Sequence, residues 1–302
     1  MSLALLDAAA TAARLPYPAL VHAVQAVLRD PAVQVPLRLV QPLPGGASLF
    51  VMPALDGRIA ITKLITFTPA NAGSARPTIQ GDVVVFDIAT GERRLVLDGP
   101  TVTARRTAAV SLLAAQRFAP QPAGPLLIVG AGAQGRSHLE AFAQGLPLAE
   151  VRIASRSAAS AESLAARARE LGLRTRVVSD PDAALAECPL VVTCTPASSI
   201  VLSALPRPDA FIAAVGAFTP GMVELAPDLV RHCARHGRVV LDTPDARHEA
   251  GDLLQAGLDV AGLAALADLP RGDGNEARTG PVLFKSCGWA GWDLAAARAA
   301  IG

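Results

Sequence analysis

Leu126-Leu127-Ile128-Val129-Gly130-Ala131-Gly132-Ala133-Gln134-Gly135 carries four apolar residues into a turn with glycines at positions one, three and six, and a helix-like run, His138 to Leu146, follows it. A lone glycine triplet of this spacing says little. Placed between a strand and a helix, it acquires a physical reading. Gly130 permits the tight turn, Gly132 lets backbone approach a pyrophosphate, and Gly135 lets helix and strand pack closely, while the helix start offers unpaired N–H groups and positive dipole to phosphate. The stretch is therefore read as a dinucleotide-binding turn.

Working outward from it, the pattern repeats. Val151 to Ser155 reads as a second strand, Ala158 to Leu171 as a helix, Thr175 to Val178 as a third strand and Asp182 to Glu187 as a short helix; apolar runs recur at Leu190 to Cys194, Phe211 to Val215 and Val239 to Asp242. Strands apolar throughout and separated by helices indicate a parallel sheet covered on both faces. The fold class expected is α/β, a doubly wound Rossmann-type sheet, with an α+β domain beside it.

That second domain has a different texture. Tyr17 to Arg29 spaces Leu20, Val21, Val24, Val27 and Leu28 on one helical face. Short segments follow at Leu37 to Val40, Ser48 to Met52, Ile59 to Phe67, Asp82 to Ile88 and Arg94 to Leu97, with turns at Asp56-Gly57 and Thr90-Gly91, the signature of antiparallel hairpins. A helix from Thr103 to Phe118 leads onward, and a last helix, Asp293 to Ile301, is expected to pack back on this part. The expected division is 1–118, completed by 280–302, for substrate binding and dimerisation, and 119–279 for NAD(P) binding.

Composition narrows the partners. Of 302 residues 51% are apolar and 18% charged, with 27 basic against 26 acidic side chains, so no charge excess exists to neutralise nucleic acid or hold an anionic membrane surface. No run reaches the roughly 18 apolar residues of a membrane span, and the start has no basic region ahead of its apolar residues. A cytoplasmic protein with a small-molecule ligand is the expectation. Cys188, Cys194, Cys233 and Cys287 form no CxxC pair, and His232 with His236 lacks a visible third ligand, so no metal site is expected.

Two finer features point to chemistry. Only Lys63 and Lys285 among the 27 basic residues are lysine, the rest being arginine. Arginine keeps its proton in a protein whereas lysine is tunable, so proton transfer is sought at these two. Lys285 also admits a structural reading, as partner of an acid such as Asp252 or Asp293. At the end of the second strand, where an NAD-preferring fold carries an acid, the chain has Ser155-Arg156-Ser157. No carboxylate is there to repel a 2′-phosphate, and Arg156 offers a guanidinium to clamp one, so NADPH is favoured with NADH possible.

Motifs spread over nearly the whole chain resemble the ornithine cyclodeaminase and μ-crystallin family: Pro36-Leu37-Arg38, Met52-Pro53-Ala54, Lys63, Thr68-Pro69-Ala70-Asn71, Pro77-Thr78, Thr103 to Ala109, Val215-Gly216, Pro220-Gly221, Glu224, Glu249-Ala250-Gly251-Asp252 and Phe284 to Gly288. The ending Ser286 to Leu294 is most similar to the family's Δ1-pyrroline-2-carboxylate reductases. The resemblance implies a homodimer, Arg38 and Arg106 on the substrate carboxylate, Lys63 at the reacting nitrogen and Thr78 near the same pocket. It also implies Ala131, Ala133 and Gln134 on the dinucleotide path; Thr195 and Lys285 are assigned to cofactor binding with them.

One departure discriminates within the family. Where the cyclodeaminases carry an aspartate for the amine of ornithine, this chain has Phe218, which packs on methylenes and cannot pair with an ammonium by charge. The reading is reduction of a small cyclic imino acid, Δ1-pyrroline-2-carboxylate or Δ1-piperideine-2-carboxylate. Lys63, flanked by two arginines whose like charge lowers its pKa, is the general acid. Alternatives are ornithine cyclodeaminase, alanine dehydrogenase, or a non-catalytic NADPH- and ligand-binding protein.

Overall fold

A computed structural model describes residues 3–71, 74, 76–196, 198–268 and 279–302. The chain forms two compact units: residues up to Ala109 with Trp289–Gly302, and Val110–Gly288. In order, the first stretch holds β1 (Ala4–Leu5), α1 (Ala8–Arg14), α2 (Tyr17–Val27), β2 (Leu39–Pro42), β3 (Ser48–Leu55), β4 (Ile59–Phe67), β5 (Ile79–Asp87), β6 (Arg93–Asp98) and α3 (Gly99–Phe118). The second holds β7 (Leu126–Val129), α4 (Ala133–Gly145), β8 (Glu150–Ala154), α5 (Ala158–Glu170), β9 (Arg174–Val177), α6 (Pro181–Leu185), β10 (Leu190–Thr193), β11 (Ser198–Leu202), β12 (Phe211–Ala214), β13 (Val223–Leu225), α7 (Pro227–His236), β14 (Arg238–Leu241), α8 (Gly251–Gln255) and β15 (Val282–Lys285); α9 (Ala290–Ile301) ends the chain.

In the first unit the strands order β1-β6-β5-β4-β3-β2, antiparallel except for the β1–β6 pair. Burial along β4 alternates, as a sheet with one covered face requires. Ile59, Ile61, Lys63 and Ile65 take the covered side, so the pleat that buries three isoleucines also carries a lysine into the core. Helix α9 packs on α2, β3 and β4. Arg298 fastens it, donating from Nε to Asp56 Oδ2 at 2.6 Å and from Nη2 to Asp30 Oδ2 at 2.5 Å. A sequence-based start at Asp293 puts this helix three residues late, because Ala290, Gly291 and Trp292 are already helical.

The second unit is a seven-stranded parallel sheet, β14-β15-β12-β10-β7-β8-β9. Its central strands are buried along their whole length, as strands covered on both faces must be. The order reverses between β7 and β10, which is the switch point where doubly wound sheets bind ligands at the carboxyl ends of their strands. Two boundaries differ from the sequence expectation. Residues 110–118 group with this unit, and so do 280–288, because β15, four buried residues long, inserts between β12 and β14 rather than completing the first domain.

Candidate active site

Lys63 is 1% exposed, on β4 opposite Met52 of β3 and Val83 of β5. Its Nζ donates to Asp293 Oδ1 at 3.1 Å and lies 2.9 Å from Oδ2. Asp293, fully buried in the first turn of α9, also has Arg106 Nε of α3 at 3.2 Å from Oδ1. That approach lacks the alignment of a hydrogen bond, and Arg106 Nη1 is buried with no partner. A buried guanidinium with unused donors costs free energy unless an anion meets them. Arg38, half-buried, is close enough for its charge to act on Lys63. The structure thus brings Lys63 and Arg106 together at one carboxylate, with Arg38 within electrostatic reach of Lys63.

Burial is the main force on Lys63, pushing its pKa down to about 8; Asp293 opposes this, and the charges of Arg106 and Arg38 add to it. The sequence reading assigned the lowering to like charge, which proves secondary to desolvation. In the sequence Asp293 stands only as the start of the last helix and as an alternative partner for Lys285. Its signal was present: the single acid of an alanine-rich helix, set between the apolar Trp292 and Leu294. Thr78 sits just before β5, half-buried, its carbonyl accepting from Thr68 N at 2.8 Å. It does not take part in the described hydrogen bonds of the Lys63 cluster.

In the second unit a cavity of about 630 Å³ opens over the fingerprint, lined by Gly130–Gly132, Ser155–Ser157 and Cys194–Pro196 among others. Gly130 has φ 113°, and a Cβ there would stand 2.9 Å from the Cys194 carbonyl oxygen. A Cβ on Gly135 would strike the Gly130 carbonyl, whereas the space at Gly132 is open. Helix α4 starts at Ala133 from an N-cap, Gly132, that lines the cavity and makes no side-chain cap bond, so the helix's first N–H groups have no intrahelical acceptor. Gln134 Oε1 is buried without a partner. This cradle fits a dinucleotide: small residues where phosphate must approach, and donors aimed at it.

Arg156 is exposed on the cavity rim beyond β8, and Ser157 caps α5 by accepting from Ser160 N at 3.2 Å. Thr195 lines the same cavity. Phe218 is half-buried and packs on the apolar core of this unit. Lys285 departs from its cofactor assignment. It is fully buried; Nζ forms an ion pair with Asp252 Oδ2 at 2.8 Å and donates to the carbonyls of Ala217 at 2.6 Å and Ala214 at 3.4 Å, so its charge is met inside the protein. Burial lowers its pKa, but Asp252 and Glu224 outweigh that and raise it. Of the two lysines, one is held ready to titrate and the other is locked as a cation.

Parallel strands in switched order, with a glycine cradle at the reversal, make this a dinucleotide-binding protein of the Rossmann class. The chain belongs to the ornithine cyclodeaminase/mu-crystallin family, whose model matches residues 10–301. It is 42% identical over 298 residues to Δ1-pyrroline-2-carboxylate reductase 1 of Burkholderia multivorans, covering 97% of this chain and 94% of that one. It is 41% identical, with the same coverage, to the Δ1-pyrroline-2-carboxylate/Δ1-piperideine-2-carboxylate reductase of Azospirillum brasilense. Its fold resembles that of Thermococcus litoralis Δ1-pyrroline-2-carboxylate reductase, solved in complex with NADH and L-proline, with a TM-score of 0.86 at 22% identity over 99% of this chain and 96% of that one.

Proposed function

We propose that this protein reduces cyclic ketimine acids with NAD(P)H, converting Δ1-pyrroline-2-carboxylate to L-proline and Δ1-piperideine-2-carboxylate to L-pipecolate. The observation that carries the reading is the buried cluster of Lys63, Asp293 and Arg106, in which an ammonium of pKa about 8 stands beside a guanidinium with an unused donor. The names of the two bacterial relatives support it.

When bound, NAD(P)H supplies the hydride that the imine carbon accepts. Arg106, through its unpartnered Nη1, and Arg38 bind the substrate carboxylate and fix the orientation of the ring. Lys63 gives its proton to the imine nitrogen, so that the C=N double bond becomes a C–H and an N–H bond, and solvent then restores the ammonium. Asp293 holds Lys63 Nζ in place and keeps enough charge near it for the protonated form to persist at neutral pH. Without that carboxylate, burial beside two arginines would strip the proton.

Arg156, Ser155 and Ser157 select NADPH: on the β8 side the cavity carries the Arg156 cation and the hydroxyls of Ser155, Ser157 and Ser160, and its described lining holds no acid. Thr78 and Phe218 are proposed to contact the substrate, and the first unit to supply the substrate-binding and dimerisation surfaces. Support for a homodimer comes from its sheet. Leu39 pairs with Val51 and Val51 with Leu64, so the three form one row across β2, β3 and β4, and Leu39 and Leu64 are 57% and 46% exposed. A second copy of the chain covers this row.

The test is oxidation of NADPH and NADH followed on both cyclic imines, with ornithine plus NAD as a control. Turnover on the imines with NADPH preferred is the expected result. Turnover confined to ornithine, or to pyruvate plus ammonium, would reject the assignment.

A further inference from the structure

Glu224, on β13, lies in none of the roles assigned so far, yet it is fully buried and its carboxylate is saturated with donors. Oε1 accepts from Thr195 N at 2.7 Å and from Thr195 Oγ1 at 2.9 Å; Oε2 accepts from Gly216 N at 2.7 Å and from Thr193 Oγ1 at 3.0 Å. Gly216 must be glycine for this to exist, because a Cβ there would collide with both Glu224 Oε1 and the Thr195 carbonyl. Behind it, Asp252 Oδ1 accepts from the backbone N–H of Glu224 at 2.6 Å and of Leu225 at 2.9 Å, and Lys285 pairs with Asp252. Burial raises the pKa of Glu224, and the charge of Lys285 and the donors at Thr195 oppose it.

The positions of these partners give the arrangement a function. Thr193–Thr195 leave the carboxyl end of β10, and Gly216 follows β12, the next strand in the sheet. Glu224 therefore ties together the two loops at the carboxyl edge on one side of the fingerprint strand β7. Ser155, Arg156 and Ser157 leave β8, on the other side of β7. A dinucleotide whose pyrophosphate sits at the start of α4 must extend both ways, and its adenosine half goes to the β8 side, where the ribose-reading residues stand. The nicotinamide half then extends over β10 and β12.

We infer that Glu224 is a positioning residue for the nicotinamide half of the cofactor, acting through the backbones of Thr195 and Gly216. The inference rests on the dinucleotide reading above but not on the identity of the imine substrate. Glu224→Gln removes the double acceptor. Whichever way the amide turns, its NH2 faces one of the two backbone N–H groups, and although the threonine hydroxyls can rotate, that N–H cannot. One of the two loops is then released.

The experiment compares two ligands on wild type and Glu224→Gln by calorimetry: NADPH, and adenosine 2′,5′-bisphosphate, which lacks the nicotinamide half. The expected result is NADPH affinity weakened roughly tenfold, with the bisphosphate changed by less than about twofold, a split sized by the loss of hydrogen bonds to a buried charged group. Equal weakening of both ligands, or no change in either, would overturn the inference. Should Glu224→Gln not yield soluble protein, Thr193→Val removes a single bond to Oε2 and is read by the same split at roughly threefold. Wild type that binds neither ligand would instead reject the dinucleotide reading itself.

Discussion

Lys63 and Lys285 show what a rare side chain in a sequence does and does not disclose. Their scarcity was legible, and so was the inward slot of Lys63, since Ile59, Ile61, Lys63 and Ile65 alternate on β4. What separates a titrating lysine from a fixed one is the partner, and each partner comes from far away in sequence. Asp293 is 230 residues from Lys63. No periodicity reports such a pairing. The dependence makes a prediction: Asp293→Asn removes the charge that raises the pKa of Lys63, so the ammonium is lost at lower pH and the descending limb of the pH–rate profile moves below about 8. The substitution also leaves a buried cation unpaired, which costs on the order of 3–5 kcal/mol of stability. A rate profile over pH 5–10 together with a melting curve reads both effects.

The elements divide by how local their causes are. The β7–α4 unit was legible because turn, glycines and helix are contiguous; the fingerprint glycines and the Ser155-Arg156-Ser157 turn stand where their spacing put them. The place of β15 was not, because four residues cannot say which strands they pair with, and its insertion between β12 and β14 is set by tertiary packing. His138 in α4 is a further case. It is fully buried, with Nδ1 2.8 Å from the Gln134 carbonyl and Nε2 3.0 Å from Ser111 Oγ, pairings that the helix pattern alone does not disclose. A carbonyl only accepts, so Nδ1 carries the proton and Nε2 of the neutral ring accepts from Ser111. Burial lowers its pKa to about 4. The unfolded chain then binds the proton first as pH falls, so stability present above about pH 6.5 is lost progressively toward pH 4, by up to about 3 kcal/mol. Denaturant midpoints at pH 7 and pH 4.5 should differ for wild type, and the difference should shrink in His138→Gln.

For the molecule as a whole, the even charge balance that argued against nucleic acid fits a small anionic substrate met by a local cationic cluster rather than by a general field. Among the described residues no helix is long and apolar enough to cross a membrane. The row Leu39–Val51–Leu64 makes a prediction at this level. Leu64→Asp places a charge in the face proposed to meet a second copy, so light scattering should give half the wild-type mass while circular dichroism stays native. An unchanged mass would move the dimer surface elsewhere. Catalysis in this scheme turns on Lys63 delivering the proton. The decisive measurement is kcat/KM for NADPH-dependent reduction of Δ1-piperideine-2-carboxylate across pH 6–10 in wild type, Lys63→Met and Lys63→Arg. The wild-type rate should fall as pH rises through about 8, with a loss of roughly 10²–10⁴-fold in both variants at pH 7. Full turnover by Lys63→Met at pH 7 would contradict it.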